Sequence, residues 1–163
     1  MPLRIIRRFL GKGLRPTNSY IKSNATTAVD FIPSEHTKIW THKLLTSSGH
    51  ETRQEWGQAL VHELSINCGI DLPNLKVSDT RQRHSVKNGR LVFKQYGYYR
   101  SKSAYIYIQN LTARRGQTLA PKTFLDTLLH EWMHHYDSRK LAIRSLHTKG
   151  FYLRLTSLKS LLN

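Results

Sequence analysis

The segment that most constrains this chain lies at residues 125–137, which read LDTLLHEWMHHYD. It contains His130-Glu131-Trp132-Met133-His134, preceded by Phe124, Leu125, Leu128 and Leu129. The apolar residues recur at helical spacing and would anchor a helix in a core. In a helix, positions i and i+4 lie one above the other, so both imidazoles reach the same side. Two such nitrogens can bind one Zn²⁺ at about 2.0–2.1 Å each. Glu131 follows the first ligand and leans beside the metal, where it could hold and deprotonate a zinc-bound water. The competing reading is a pair of surface histidines on a basic helix. A partial repeat of the pattern at His62-Glu63 has Ile66 where the second histidine would stand, and is read as an ordinary helix face.

A catalytic zinc site needs a third protein ligand and an open position for water. His135 is one residue past His134, about 100° round the helix, so it points elsewhere and reads as a surface or supporting histidine. Asp137, three residues on, stays on the metal face and could bind zinc or orient a ligand imidazole. His147 lies beyond an expected turn in SLHTKGF, and a returning helix would bring it over the site. The expected ligand set is His130, His134 and His147, with Glu131 as catalytic base.

Around this motif the pattern is mixed. Residues 51–68 read as an amphipathic helix with Trp56, Leu60, Leu64 and Cys68 on one face, widened by Val61 and stopped at Gly69. Short strands are expected at 75–80, 90–99 and 104–109, the last two as an antiparallel meander, followed by a loop over 112–122. The motif helix is expected from about Lys122 or Thr123 to Leu141. A closing helix follows over 149–162, with Phe151, Leu155, Leu158 and Leu162 on one side. The fold class is therefore α+β. Ordered structure is expected from about Phe31, giving one domain over 31–163. Residues 1–30 are read as a basic flexible arm: Arg4, Arg7, Arg8, Lys12, Arg15 and Lys22 precede the first acid, and a Ser/Thr/Asn-rich stretch follows. The same features suit a mitochondrial transit segment.

Charge and cysteine content narrow the function classes. With 26 basic against 10 acidic side chains the net charge is +16, spread along the whole chain. Such a surface attracts polyanions, so non-specific, phosphate-driven contact with nucleic acid is expected. One cysteine, Cys68, excludes both an intrachain disulfide and a zinc ribbon, and an intracellular setting, cytoplasmic or with the chromosome, is expected. No apolar run approaches the roughly 18–20 residues of a membrane helix. Tyr96, Tyr98, Tyr99, Tyr105 and Tyr107 alternate with Lys94, Arg100 and Lys102. The pattern suits aromatic cross-strand pairs, and less well a stacking surface for single strands.

HEWMHHYD followed by LHTKGFYLRL resembles the SprT-like zinc metallopeptidases, the family of SprT and Spartan. The resemblance spans about residues 50–160. It implies a zincin-like minimal metallopeptidase fold: a helix, a small antiparallel or mixed sheet, the HExxH helix and a closing C-terminal helix. It also implies His147 as third ligand, in a segment that departs from the family pattern by placing its glycine at 150 and not directly after the histidine. The implied activity is peptide hydrolysis, on DNA-associated proteins, by Glu131-assisted attack of zinc-bound water. Tyr136, Tyr152 and Arg144 are candidate oxyanion donors, and the strand at 104–109 is the expected edge for an extended peptide. Two other readings are a non-catalytic basic DNA- or RNA-binding protein on the same fold, and a zinc hydrolase with a non-peptide substrate.

Overall fold

Short polar residues begin the first two helices. Thr17 Oγ1 accepts from the Tyr20 N–H at 3.2 Å and starts α1 (Asn18–Ala25). Ser34 Oγ accepts from the Thr37 N–H at 3.3 Å and starts α2 (Glu35–Leu45). Such caps satisfy backbone donors that the first helical turn leaves without partners. The computed structural model describes residues 17–163, with only the backbone at 91–94. Arg4, Arg7, Arg8, Lys12 and Arg15 of the expected basic arm lie outside the described residues.

The remaining elements are α3 (His50–Cys68), β1 (Asn74–Arg81), β2 (Arg83–Lys87), β3 (Arg90–Gln95), β4 (Gly97–Arg100), β5 (Tyr105–Leu111), α4 (Pro121–Arg139) and α5 (Lys149–Leu162). The chain is α+β, as expected. Pro121 stands at the first turn of α4, where a missing N–H costs nothing. Thr148 caps α5 by accepting from the Phe151 N–H at 3.1 Å. Among the described residues no helix is long and apolar enough to cross a membrane.

The antiparallel pairing expected between 90–99 and 104–109 is present as β4 and β5, and the parallel pairing of β1 makes the sheet mixed. Its order is β1-β5-β4, with β5 parallel to β1 and antiparallel to β4. Leu75 and Val77 on β1, and Ile106 and Ile108 on β5, are all buried on one face. That alternation identifies the buried face, but it says nothing of strand direction. The segment expected as one strand at 90–99 is also divided. Its first part pairs with β2 in a separate hairpin, and its last part joins the main sheet. Asn88 and Gly89 close the hairpin with φ of 51° and 72°. Two successive positive φ values make the primed turn that fits the strand twist, and Asn-Gly is the pair that best tolerates them. On the face away from the helices, Tyr98 stands directly opposite Tyr107, and the rings stack with centroids 5.1 Å apart. The cross-strand aromatic pairing expected from the sequence is present here.

Helices cover the other face. Leu60, Val61 and Leu64 of α3, Phe124, Leu128 and Trp132 of α4, and Phe151, Leu155, Leu158 and Leu162 of α5 share one core with the inward strand residues. Arg53 is fully buried in it without an acidic hydrogen-bond partner. Its guanidinium donates to the Ser47 side chain and carbonyl, to Asn110 Oδ1 and to the Leu119 carbonyl.

The N-terminal expectation needs correction over 17–30. Ser23 is fully buried, and α1 lies along α5 and the loop before it. An ideal Cβ at Gly150 would sit 1.9 Å from the Ser23 carbonyl oxygen, so only glycine admits this approach. Asn24 Oδ1 also accepts from the Gly150 N–H at 3.1 Å. The Ser/Thr/Asn composition suggested a solvated arm, whereas these polar groups meet buried partners within the fold.

Candidate metal centre

Helix α4 carries His130, Glu131 and His134, which border one cavity. The loop 140–148 returns the chain so that His147 stands over them. His147 Nε2 lies 3.0 Å from His130 Nε2 and 2.9 Å from His134 Nε2. The three side chains are the one group among the described residues whose ligand atoms could hold a metal, all lying within 4.8 Å of one another. Phe151 packs against them, with its ring 4.7 Å from that of His134 and 5.0 Å from that of His130. Fully buried, it makes an apolar floor.

Burial sets the protonation states. His130 is pushed down to about 4 by desolvation, then by His147 and Lys159. His134 is pushed down to about 3 by desolvation, then by His130 and His147. Both imidazoles are therefore neutral at pH 7, the form that binds metals. Glu131 is 8% exposed, and burial raises its carboxyl to about 7.

These shifts fix how stability should depend on pH in the metal-free chain. Below the unfolded histidine value near 6.5, the unfolded chain binds protons that native His130 and His134 refuse. Stability on their account is full above about 6.5 and falls as pH drops toward their folded values near 4 and 3. Glu131 acts in the opposite sense between about 4.5 and 7, as does Asp137, which burial also pushes up, whereas buried His135 is pushed down and adds to the two ligand histidines, three groups against two. Thermal unfolding in chelator should therefore show a lower midpoint at pH 5 than at pH 7.5. A flat or rising profile would contradict this assignment.

Two adjoining cavities of about 410 and 600 Å³ meet at the centre and share Gln95, Gly97, His130, Glu131 and His147. One extends toward the C-terminal end of α4 and is lined also by Tyr99, Ser138, Arg144 and Ser145. The other extends toward its N-terminal end, by Thr123, Thr127, Tyr152 and Leu155. Strand β4 runs beside both. It is an edge strand, whereas β5, the edge expected from the sequence, is central. The resemblance implied β5 as the edge, whereas here it pairs on both sides, with β1 and with β4.

The other expected residues separate clearly. His135 is fully buried. Its Nε2–H donates to the Asp71 carbonyl at 2.7 Å, so its Nδ1 accepts from the Tyr99 hydroxyl at 2.9 Å. With both nitrogens engaged it joins β4 to the α3–β1 connection, and is not a surface group. Tyr136 is fully buried and its hydroxyl accepts from the Asp30 N–H, which removes it from the oxyanion candidates. Tyr152 and Arg144 both line the cavities.

Asp137 lies behind the ligands and not among them. It is fully buried, and Arg154 grips it through Nε–H to Oδ1 at 3.0 Å and Nη2–H to Oδ2 at 2.8 Å. Burial pushes the Asp137 carboxyl up, while Arg154 and Ser145 hold it down. The remaining Arg154 donors reach the Ser23 and Thr26 carbonyls and Ser23 Oγ. All five guanidinium hydrogens thus have acceptors. Helix α1 also braces the ligand-bearing loop. Ser19 Oγ accepts from the Arg144 N–H at 3.1 Å, Lys22 donates to the Leu141 carbonyl, and Ser23 and Thr148 hydroxyls meet at 2.6 Å. Sequence reasoning missed Arg154, Ser145 and α1. The signal available was a run of short polar residues upstream and an arginine on the apolar side of α5. Compared with protein-family models, with curated proteins and with solved structures, the chain matches none.

Proposed function

We propose that this chain is a zinc-dependent peptidase of SprT-like type with a zincin-like site. The observation that carries the reading is the convergence of three imidazole Nε2 atoms, 2.9–3.0 Å apart in two pairs, with Glu131 lining the same open cavity. The donor set fits zinc: three imidazole nitrogens converge from one side, with an open cavity on the other. A purely structural site would be closed by a fourth protein ligand and would have no use for a carboxylate beside it.

His130, His134 and His147 would hold the ion. When bound, zinc supplies Lewis-acid chemistry, polarising the scissile carbonyl and strengthening water as a nucleophile. Glu131 takes the proton of the attacking water and passes it to the leaving amine. Its burial raises its basicity toward the range a base needs at neutral pH. Tyr152 and Arg144 border the cavities from which a donor to the developing oxyanion would come. An extended peptide would add along β4 by backbone pairing, which selects shape more than sequence.

Nucleic acid is the proposed partner. Between Asp79 and Asp126 the chain carries ten basic side chains and no acid. This stretch includes the β2–β3 hairpin, β4 and β5, so these strands carry basic side chains with no acid among them. Lys76 and Arg100 are exposed, with Tyr98, Tyr105 and Tyr107 partly exposed nearby in register. Phosphate attraction with ring stacking is the combination single strands require.

The test is digestion of casein by the zinc-loaded chain, with and without single-stranded DNA. Cleavage should stop in chelator and return with zinc. Cleavage that persists without metal would overturn the reading.

A further inference from the structure

We propose that Ser145 is a positioning residue that fixes His134 as the Nδ1–H tautomer, with the Nε2 lone pair aimed at the three-histidine centre.

The inference follows from counting protons along one chain of contacts. Arg154 cannot give up its charge, and a buried guanidinium facing a neutral partner would be uncompensated. Asp137 is therefore a carboxylate and can only accept. Ser145 Oγ lies 2.9 Å from Asp137 Oδ2, so its single hydrogen points there. His134 Nδ1 lies 2.7 Å from the same oxygen. With its hydrogen already committed, Ser145 must accept from Nδ1, which then carries the ring proton. A neutral imidazole holds one proton, so Nε2 is left with its lone pair. That atom is the one 2.9 Å from His147 Nε2.

The alternative tautomer has an obvious attraction. A proton on His134 Nε2 could hydrogen-bond to His147 and would block the lone pair. Ser145 and Asp137 exclude it by occupying Nδ1 with an acceptor. The direction of this relay is set from α1, whose Ser23 and Thr26 hold the far side of Arg154. The Ser145–His134 contact thus ties the ring's orientation to the buried ion pair, and Ser145 sits only two residues before His147.

The role in metal binding rests on reading the centre as a zinc site, whereas the tautomer does not. Long-range ¹H–¹⁵N correlation on the full, metal-free chain at pH 7.5 should show His134 protonated at Nδ1. In Ser145→Ala a substantial Nε2–H population should appear, and Ser145→Thr, which keeps the hydroxyl, should restore the wild-type pattern. Zinc affinity by chelator competition should fall about 10–100-fold in Ser145→Ala and stay near wild type in Ser145→Thr. A wild-type His134 protonated at Nε2 would overturn the proposal. So would a Ser145→Ala variant unchanged in both tautomer and affinity. If wild type binds no zinc, the zinc reading fails by itself, and the His134 spectrum still decides whether Ser145 sets the tautomer.

Discussion

Glu131→Gln is expected to keep its zinc and lose casein cleavage by roughly 10²–10⁴-fold. The amide has nearly the carboxylate's shape but cannot accept the proton of the attacking water. Glu131 is not among the three ligand side chains, so occupancy should be unchanged. Its removal should if anything raise thermal stability at neutral pH, because a buried carboxyl whose value is lifted to about 7 is destabilised when ionised. Loss of activity with gain or retention of stability separates a catalytic role from a structural one. Near-normal turnover in this variant would remove Glu131 as the base.

Arg154→Met is expected to give the largest loss of stability, about 3–5 kcal/mol, because it strands the Asp137 carboxylate in the core. It also removes the donors that hold the Ser23 and Thr26 carbonyls, so α1 should loosen along with the loop it braces. For a chain of this size the thermal midpoint should drop by more than about 6 °C. The double variant Arg154→Met/Asp137→Leu should recover part of the loss, since neither charge is then buried alone. A single variant as stable as wild type would show that the pair does not organise the C-terminal half. The same network implies that deleting residues 17–29 would disturb the metal centre, although the three histidines lie more than a hundred residues downstream in sequence.

The α4 site residues could be read in advance because i, i+4 spacing and an apolar flank are both local properties of a helix. His147 came from chemistry, as a donor placed where a returning chain could reach. α3 and α5 were legible from their buried faces, and Leu155, Leu158 and Leu162 lie where the period put them. Strand direction was not legible, since Leu75, Val77, Ile106 and Ile108 alternate identically in parallel and antiparallel sheets. The β2–β3 hairpin was legible and was missed: Asn88-Gly89 between Lys87 and Arg90 is a strong turn signal. α1 was hidden for a different reason. Its value lies in polar partners more than a hundred residues away, and polar composition by itself reads as solvent exposure. Asp137 shows the same limit, because helical position put it on the metal side, but only the buried Arg154 shows that it is committed elsewhere.

If the three imidazoles form one zinc site, metal content should depend on each of them. Wild type loaded with zinc and dialysed should retain about one ion per chain, held by the three converging imidazole nitrogens. His147→Ala changes an exposed side chain, so it should fold normally and lose most of that zinc. His135→Gln, which can keep a donor and an acceptor at a buried position, should retain it. Equal zinc in wild type and His147→Ala, or none in wild type, would contradict the account.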